Sequence, residues 1–186
     1  MTSAPVETTR GTQTTWKIDA THTTVEFAVR HMMIATVKGF FTDVQGTVTT
    51  IGDDPTTAVV DVQIPAASIN TRNEQRDAHL RSADFLDAEN HPTITFKSTK
   101  VTRAGDDKLR MEGDLTIRGT TLPLTLDVTI EGRGKDPWGG ERSAFSATTK
   151  INRQEFGLRW NQALETGGVL VADEVKISVD VELVKQ

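Results

Sequence analysis

The strongest constraint on the fold is an alternation of apolar and polar residues with period two, which recurs in seven or eight stretches of the chain. In the clearest stretch, Leu109, Met111, Gly113, Leu115 and Ile117 alternate with Arg110, Glu112, Asp114, Thr116 and Arg118. Gly119-Thr120 then turns the chain into Leu122, Leu124, Leu126, Val128 and Ile130, which alternate with Pro123, Thr125, Asp127, Thr129 and Glu131. Successive side chains on a strand point to opposite faces, so each run has one side for a dry interior and one for water. The expected fold is all-β, an antiparallel barrel or sandwich. A barrel of about eight strands lies near the size at which side chains just fill the middle or leave room for one small apolar ligand. Function turns on which of the two occurs.

Composition narrows the classes. The 186 residues include 36% hydrophobic and 25% charged residues, enough for one domain with a sizeable core. There is no cysteine, hence no disulfide framework, thiol nucleophile or thiolate metal site. A net charge of -5, no tyrosine and only 5% aromatics argue against a nucleic-acid partner, which would need a basic stripe or stacking platforms. No apolar run approaches the roughly 20 residues of a membrane-spanning helix. Residues 1–15 lack the charged-then-apolar order of a secretory signal and read as a disordered polar tail, so the chain is expected in the cytoplasm, with 16–186 as its domain.

Trp16 to Asp19 forms a leading strand or plug, and Val25, Phe27 and Val29 alternate as a strand that Met32-Met33-Ile34 interrupts. Further strands are expected over 40–50, 57–64, 93–102, 143–151 and 175–183, with turn chemistry at Gly52-Asp53-Asp54-Pro55 and around Asp136 to Gly140. Residues 66–92 depart from the pattern. There, 73–80 and 82–86 read as one or two short helices with Asn73 and Ser82 as N-caps, a lid or insertion on the barrel.

The densest polar cluster lies in that insertion: Arg72, Asn73, Glu74, Arg76, Asp77, His79, Arg81 and Asp84. One reading is surface ion pairs and helix capping; the other is a carboxylate orienting a histidine general base, Asp77 with His79. No serine sits in a nucleophile elbow to use such a base. His22, His31, His79 and His91 lack the spacing of a zinc site, so no metal is expected. His31 follows Val29 in register and reads either as a core histidine or as a donor at a barrel mouth. Arg153 and Trp160, beyond a strand end, read either as a pinned turn with Gly157 at positive φ or as a mouth site. Met32 and Met33 are core loop residues or an adaptable apolar rim.

The order of Trp16-Lys17-Ile18-Asp19, Val25 to His31, Gly39-Phe40-Phe41, Ser68-Ile69-Asn70-Thr71, Arg76 to Leu80, Asp84-Phe85-Leu86, Pro92 to Phe96, Gly113 to Gly119 and Asn152 to Gly157 resembles the YceI-like, polyisoprenoid-binding family. The resemblance runs from Trp16 to Leu183. It implies a lipocalin-like antiparallel barrel of about eight strands, with an elongated cavity for an isoprenoid or other long-chain amphiphile and no catalytic residues. Many members carry a signal peptide, and His91 here precedes Pro92 where an aromatic is common.

The expected function is therefore to bind, and to carry or store, a polyisoprenoid, isoprenoid quinone or fatty-acid derivative, with no other cofactor and with transient membrane contact. The cavity wall is expected to include Phe27, Val29, Val62, Phe96, Leu115, Ile117, Leu126, Phe145, Ile177 and Val179, all of inward parity. Phe85, Leu86, Met32, Met33 and Trp160 would form the rim, with His31 and Arg153 as donors to a polar head group. Two alternatives stay open: a ligand-free structural or interaction barrel, and an enzyme using Asp77 and His79.

Overall fold

A computed structural model describes residues 11–186. The sequence pattern is realised most directly in the hairpin of β8 (Lys108–Ile117) and β9 (Thr120–Lys135), where Leu115 pairs with Leu122 and Met111 with Leu126. Inward rows thus face inward rows. The turn between them has φ of 49° at Arg118 and 74° at Gly119, the doubly left-handed geometry whose twist matches that of the flanking strands.

The other strands are β1 (Gln13–Ile18), β2 (Thr24–His31), β3 (Ala35–Phe41), β4 (Gln45–Ile51), β5 (Asp54–Pro65), the short β6 (Ile69–Asn70), β7 (Thr93–Arg103), β10 (Glu141–Asn152) and β11 (Val171–Lys185). Eight of them, β1, β4, β5 and β7 to β11, form an antiparallel ring that closes where β11 returns to β1, with Trp16 opposite Lys185. At the other end of β11, β2 takes over the same edge, pairing from Val171 to Asp180, and β3 continues from β2 to β6. Closure of this kind pairs ladder groups around the ring, while β3 keeps an unpaired edge from Ala35 to Gly39 where β6 does not reach.

Three expectations are corrected. Gln13 to Thr15 belong to β1 rather than to a tail, while residues 1–10 lie outside the described part. The stretch 40–50 is two strands, because the chain leaves the β2–β3 hairpin at Phe41 and crosses to β4. The insertion holds a single α-helix, α1 (Glu74–Arg81), capped by Asn73, whose side chain accepts from the Arg76 N–H. Ser82 ends α1 instead of starting another helix: its hydroxyl donates to the His79 carbonyl at 2.6 Å, and turns follow to Asn90.

The closure at β1 is fastened by charge. Arg142 on β10 donates to Asp136 at 3.0 Å, to Asp19 at 2.7 Å, and to Glu182 of β11. Hydrogen bonds from Thr21, His22 and Arg142 hold the Asp19 carboxyl well below its ordinary range. The His22 imidazole, 2.9 Å from Asp19, is pushed up by that hydrogen bond and then by the charge of Glu182. The contribution of His22 is complete below its unfolded value near 6.5 and fades as pH rises through the higher folded value. That of Asp19 is complete above 3.8 and is lost only as pH falls through its depressed folded value. In an NMR titration the His22 ring is expected to titrate above 6.5, and Asp19→Asn to bring its midpoint down; an unmoved midpoint would contradict the assignment.

A candidate ligand cavity

The inward rows of the barrel do not meet in the middle. No large side chain is completely enclosed among the described residues, and even Phe156 keeps 3% of its surface. The free surface faces a cavity of about 520 Å³, within the usual ~300–1,000 Å³ of small-molecule sites. It runs the length of the barrel, from Arg76, His79 and Trp160 at the α1 end to Trp16, Asp53 and Arg133 at the other.

The wall follows strand parity. Phe27, Val29, Val62, Phe96, Leu115, Ile117, Leu126, Phe145, Ile177 and Val179 all border the cavity, together with Phe85, Leu86, His31, Arg153 and Trp160. Met32 does not: it sits in the β2–β3 turn with 44% of its surface exposed, and Met33 beside it is 60% exposed. The turn carries both away from the lumen. Wall residues the sequence reading left out include Val25, Val37, Val48, Val60 and Ile64. Alternation with Phe27 on β2 and with Val62 on β5 was the available signal for three of them.

Two glycines set the bore. A Cβ on Gly113 would collide with the Phe96 ring and the Lys97 carbonyl, and one on Gly39 with the Phe27 ring and the Thr71 methyl. Each ring therefore lies against the wall where a side chain is missing, instead of across the lumen. Gly113→Ala is expected to push Phe96 inward, lowering stability by about 1–3 kcal/mol and weakening the binding of thick ligands more than thin ones. Chemical denaturation and a ligand-girth series check this; equal losses for all girths would contradict it.

The α1 segment covers one end. Phe85 and Leu86 are buried at 5% and 6%, and Arg118 donates to the Phe85 carbonyl at 2.7 Å. Asp77, also buried, accepts from the Thr71 N–H at 2.8 Å and from the Thr71 hydroxyl, which in turn accepts from Arg76 Nε at 2.8 Å. Arg81 donates to the carbonyls of Ala67 and Ile69. The polar cluster is thus no Asp77–His79 dyad: Asn73 caps α1 and His79 forms a surface pair, as the first reading expects, while Arg76, Asp77 and Arg81 fasten α1 to β6 and its flank. His79 pairs instead with Asp84 at 2.8 Å, its ring edge-on to Phe85 and Trp160 at 5.0 and 4.7 Å.

Arg153 is corrected as a head-group donor. Its guanidinium donates to the carbonyls of Ala172, Leu158, Trp160 and Val171 at 2.6–3.2 Å, with Asp173 3.8 Å away. Burial pushes its pKa down, against the opposing charge of Asp173. With four of its five donors on backbone, it pins the 157–171 loop to β11. Arg153→Ala is expected to cost about 3 kcal/mol or more by orphaning these carbonyls, and Arg153→Lys, without the planar fork, to recover little. Urea unfolding measures it; wild-type midpoints in both variants would refute the role. His31 borders the cavity and makes no side-chain hydrogen bond to a described residue, so its donor is free for a ligand.

At the far end, the Arg133 guanidinium lies 5.2 Å from the Trp16 ring centroid and bonds Asp53 at 2.7 Å and Glu141 at 2.6 Å. This stopper was not legible from spacing, because β1, the β4–β5 turn and β9 meet only through closure. Among the described residues, Asp19, His22 and Glu182 bring potential metal ligands together, but Arg142 already lies on both carboxylates and supplies their countercharge.

A family model described as a YceI-like domain matches residues 16–183. Protein YceI of Escherichia coli is 39% identical over 173 residues, covering 92% of this chain and 87% of that protein. The crystal structure of Burkholderia cenocepacia BcnA superposes with a TM-score of 0.77 at 24% identity, covering 89% of this chain and 98% of that one. A domain of Saccharophagus degradans, described as polyisoprenoid-binding and implicated in plant cell wall breakdown, gives 0.67 at 13% identity over 92% and 98%. These two likenesses establish the barrel fold.

Proposed function

The chain belongs to the YceI-like family, and we propose that its barrel binds one long-chain apolar ligand, a polyisoprenoid, isoprenoid quinone or fatty-acid derivative, and carries or stores it away from water. The observation that carries this reading is the cavity itself: about 520 Å³ walled by inward aliphatic and aromatic rows of a closed ring. The polyisoprenoid-binding description of the Saccharophagus degradans domain of the same fold supports the ligand class. A ligand-free structural barrel would be expected to fill its interior.

The energetics favour occupancy. A chain of roughly 12 carbons gains up to about 10 kcal/mol on leaving water, before ordering costs. The force is non-directional, so selection falls on length and girth. The polar end belongs at the α1 mouth, near His31 and water, because an unpartnered polar group deep inside would cost several kcal/mol. No step of this reading uses Asp77 or His79 as a catalyst.

Leu115→Trp and Leu126→Trp test it by placing bulk in the lumen. Titration with a fluorescent long-chain lipid is expected to show uptake by the wild-type protein and little by either variant, with stability lowered only moderately. Loading should also raise the wild-type Tm, because the ligand binds only the folded state. Equal binding by all three proteins would refute the proposed site.

A further inference from the structure

The turn between β2 and β3 presents three consecutive large apolar side chains, Met32, Met33 and Ile34, with 44%, 60% and 76% of their surfaces exposed. Its backbone is itself unusual: φ is 52° at Met32 and 61° at Met33, a region that asparagine and glycine enter at lower cost. Arg30 braces the turn by donating to the Met33 carbonyl at 3.1 Å, and the Met32 N–H donates to the Leu170 carbonyl at 2.8 Å. That second bond joins the turn to the 163–169 loop, where Ala163 bridges Val169 and the Met33 sulfur lies over Gly168 in the space a Cβ would take. Val169 is itself 39% exposed. Four of the seven exposed large apolar side chains of the described residues therefore gather at one corner.

That corner adjoins the cavity. His31 and Leu170, which flank the two turns, both line it. From Met32 to Val37 there is no ionisable residue, and the chain as a whole carries a net charge of -5. A second copy of the chain is a poor occupant: the patch offers on the order of 400 Å², about half of the ~800 Å² each partner gives to a stable dimer. Protruding and built of flexible methionines, with the charges of Arg30 and Glu165 at its flanks, it suits the boundary between headgroups and acyl chains, where apolar side chains insert by about 5–10 Å.

We propose that the paired tips dock this end of the barrel on the surface of a lipid bilayer, setting the α1 end of the cavity beside the hydrocarbon that dissolves a long-chain ligand. The purpose of docking rests on the proposed ligand class, but docking itself requires no ligand in the cavity. Since the tip side chains are apolar, the flanking charges of Arg30 and Glu165 oppose one another and the chain is acidic, attachment is mainly apolar, needs no anionic lipid and changes little with salt.

Flotation of the full chain with phosphatidylcholine vesicles tests this. The wild-type protein is expected to float at low and high salt. A Met33→Asp/Ile34→Asp variant should partition at least about tenfold less, since it loses the transfer of two large apolar side chains. Val59→Asp, on the exposed outer face of β5, should float like wild type. Absence of wild-type flotation, equal flotation of the tip variant, or a wild-type dimer that the tip variant converts to monomer would each overturn the proposal. A fluorescent long-chain fatty acid delivered from cyclodextrin separates the two readings: uptake without flotation refutes docking alone, and flotation without uptake refutes the cavity reading alone.

Discussion

The structure depends on a ring of backbone hydrogen bonds that closes on itself. Because β11 has β10 along one edge and β1 and then β2 along the other, the eight-strand ring is continuous, and the unpaired ladder edge that remains lies outside it, on β3 from Ala35 to Gly39. A helical bundle held apart in this way would fold inward onto its void. A closed barrel keeps its walls apart by its own ladder, so the interior can be apolar without being full.

Closure explains where the charges went. Arg142 fastens β1, β10 and β11 outside the lumen, Arg133 stops one end against Trp16, Arg153 pins the loop at the other, and Arg76 is held by Thr71. Each cation has designated acceptors, and a cation so engaged is a girder rather than a ligand donor. What remains facing the lumen is almost wholly hydrocarbon, which chooses by shape and tolerates a range of head groups. The glycines at 39 and 113 belong to the same design, since they let Phe27 and Phe96 line the bore without blocking it.

Much of this was legible in the sequence because strand parity is a strict period of two. Leu115, Leu126, Ile177 and Val179 could be assigned to the lumen from their neighbours alone, and Asn73 to the start of α1 from its capping chemistry. What was not legible is long-range. Arg153 could be read as the pin of a turn or as a donor at a mouth, and the first reading holds, with Gly157 at a φ of 84°, but its four acceptors come from a loop and a strand that meet only in the fold. One of the two readings of the cluster had Asp77 poised toward His79, yet the side chain that claims it is Thr71, whose position beside α1 depends on β6 joining β3. Met32 and Met33 fell outside the wall because a two-position left-handed turn, unexpected without glycine, redirects the chain there.

Native mass spectrometry of the protein purified from cells under non-denaturing conditions is the most direct test of the central claim, that the barrel is held open around a ligand. The expected spectrum contains a species heavier than the chain by the mass of one long-chain compound, converted to the bare chain by organic extraction and restored by adding a long-chain lipid. A bare chain before extraction that also fails to acquire any long-chain lipid would contradict it.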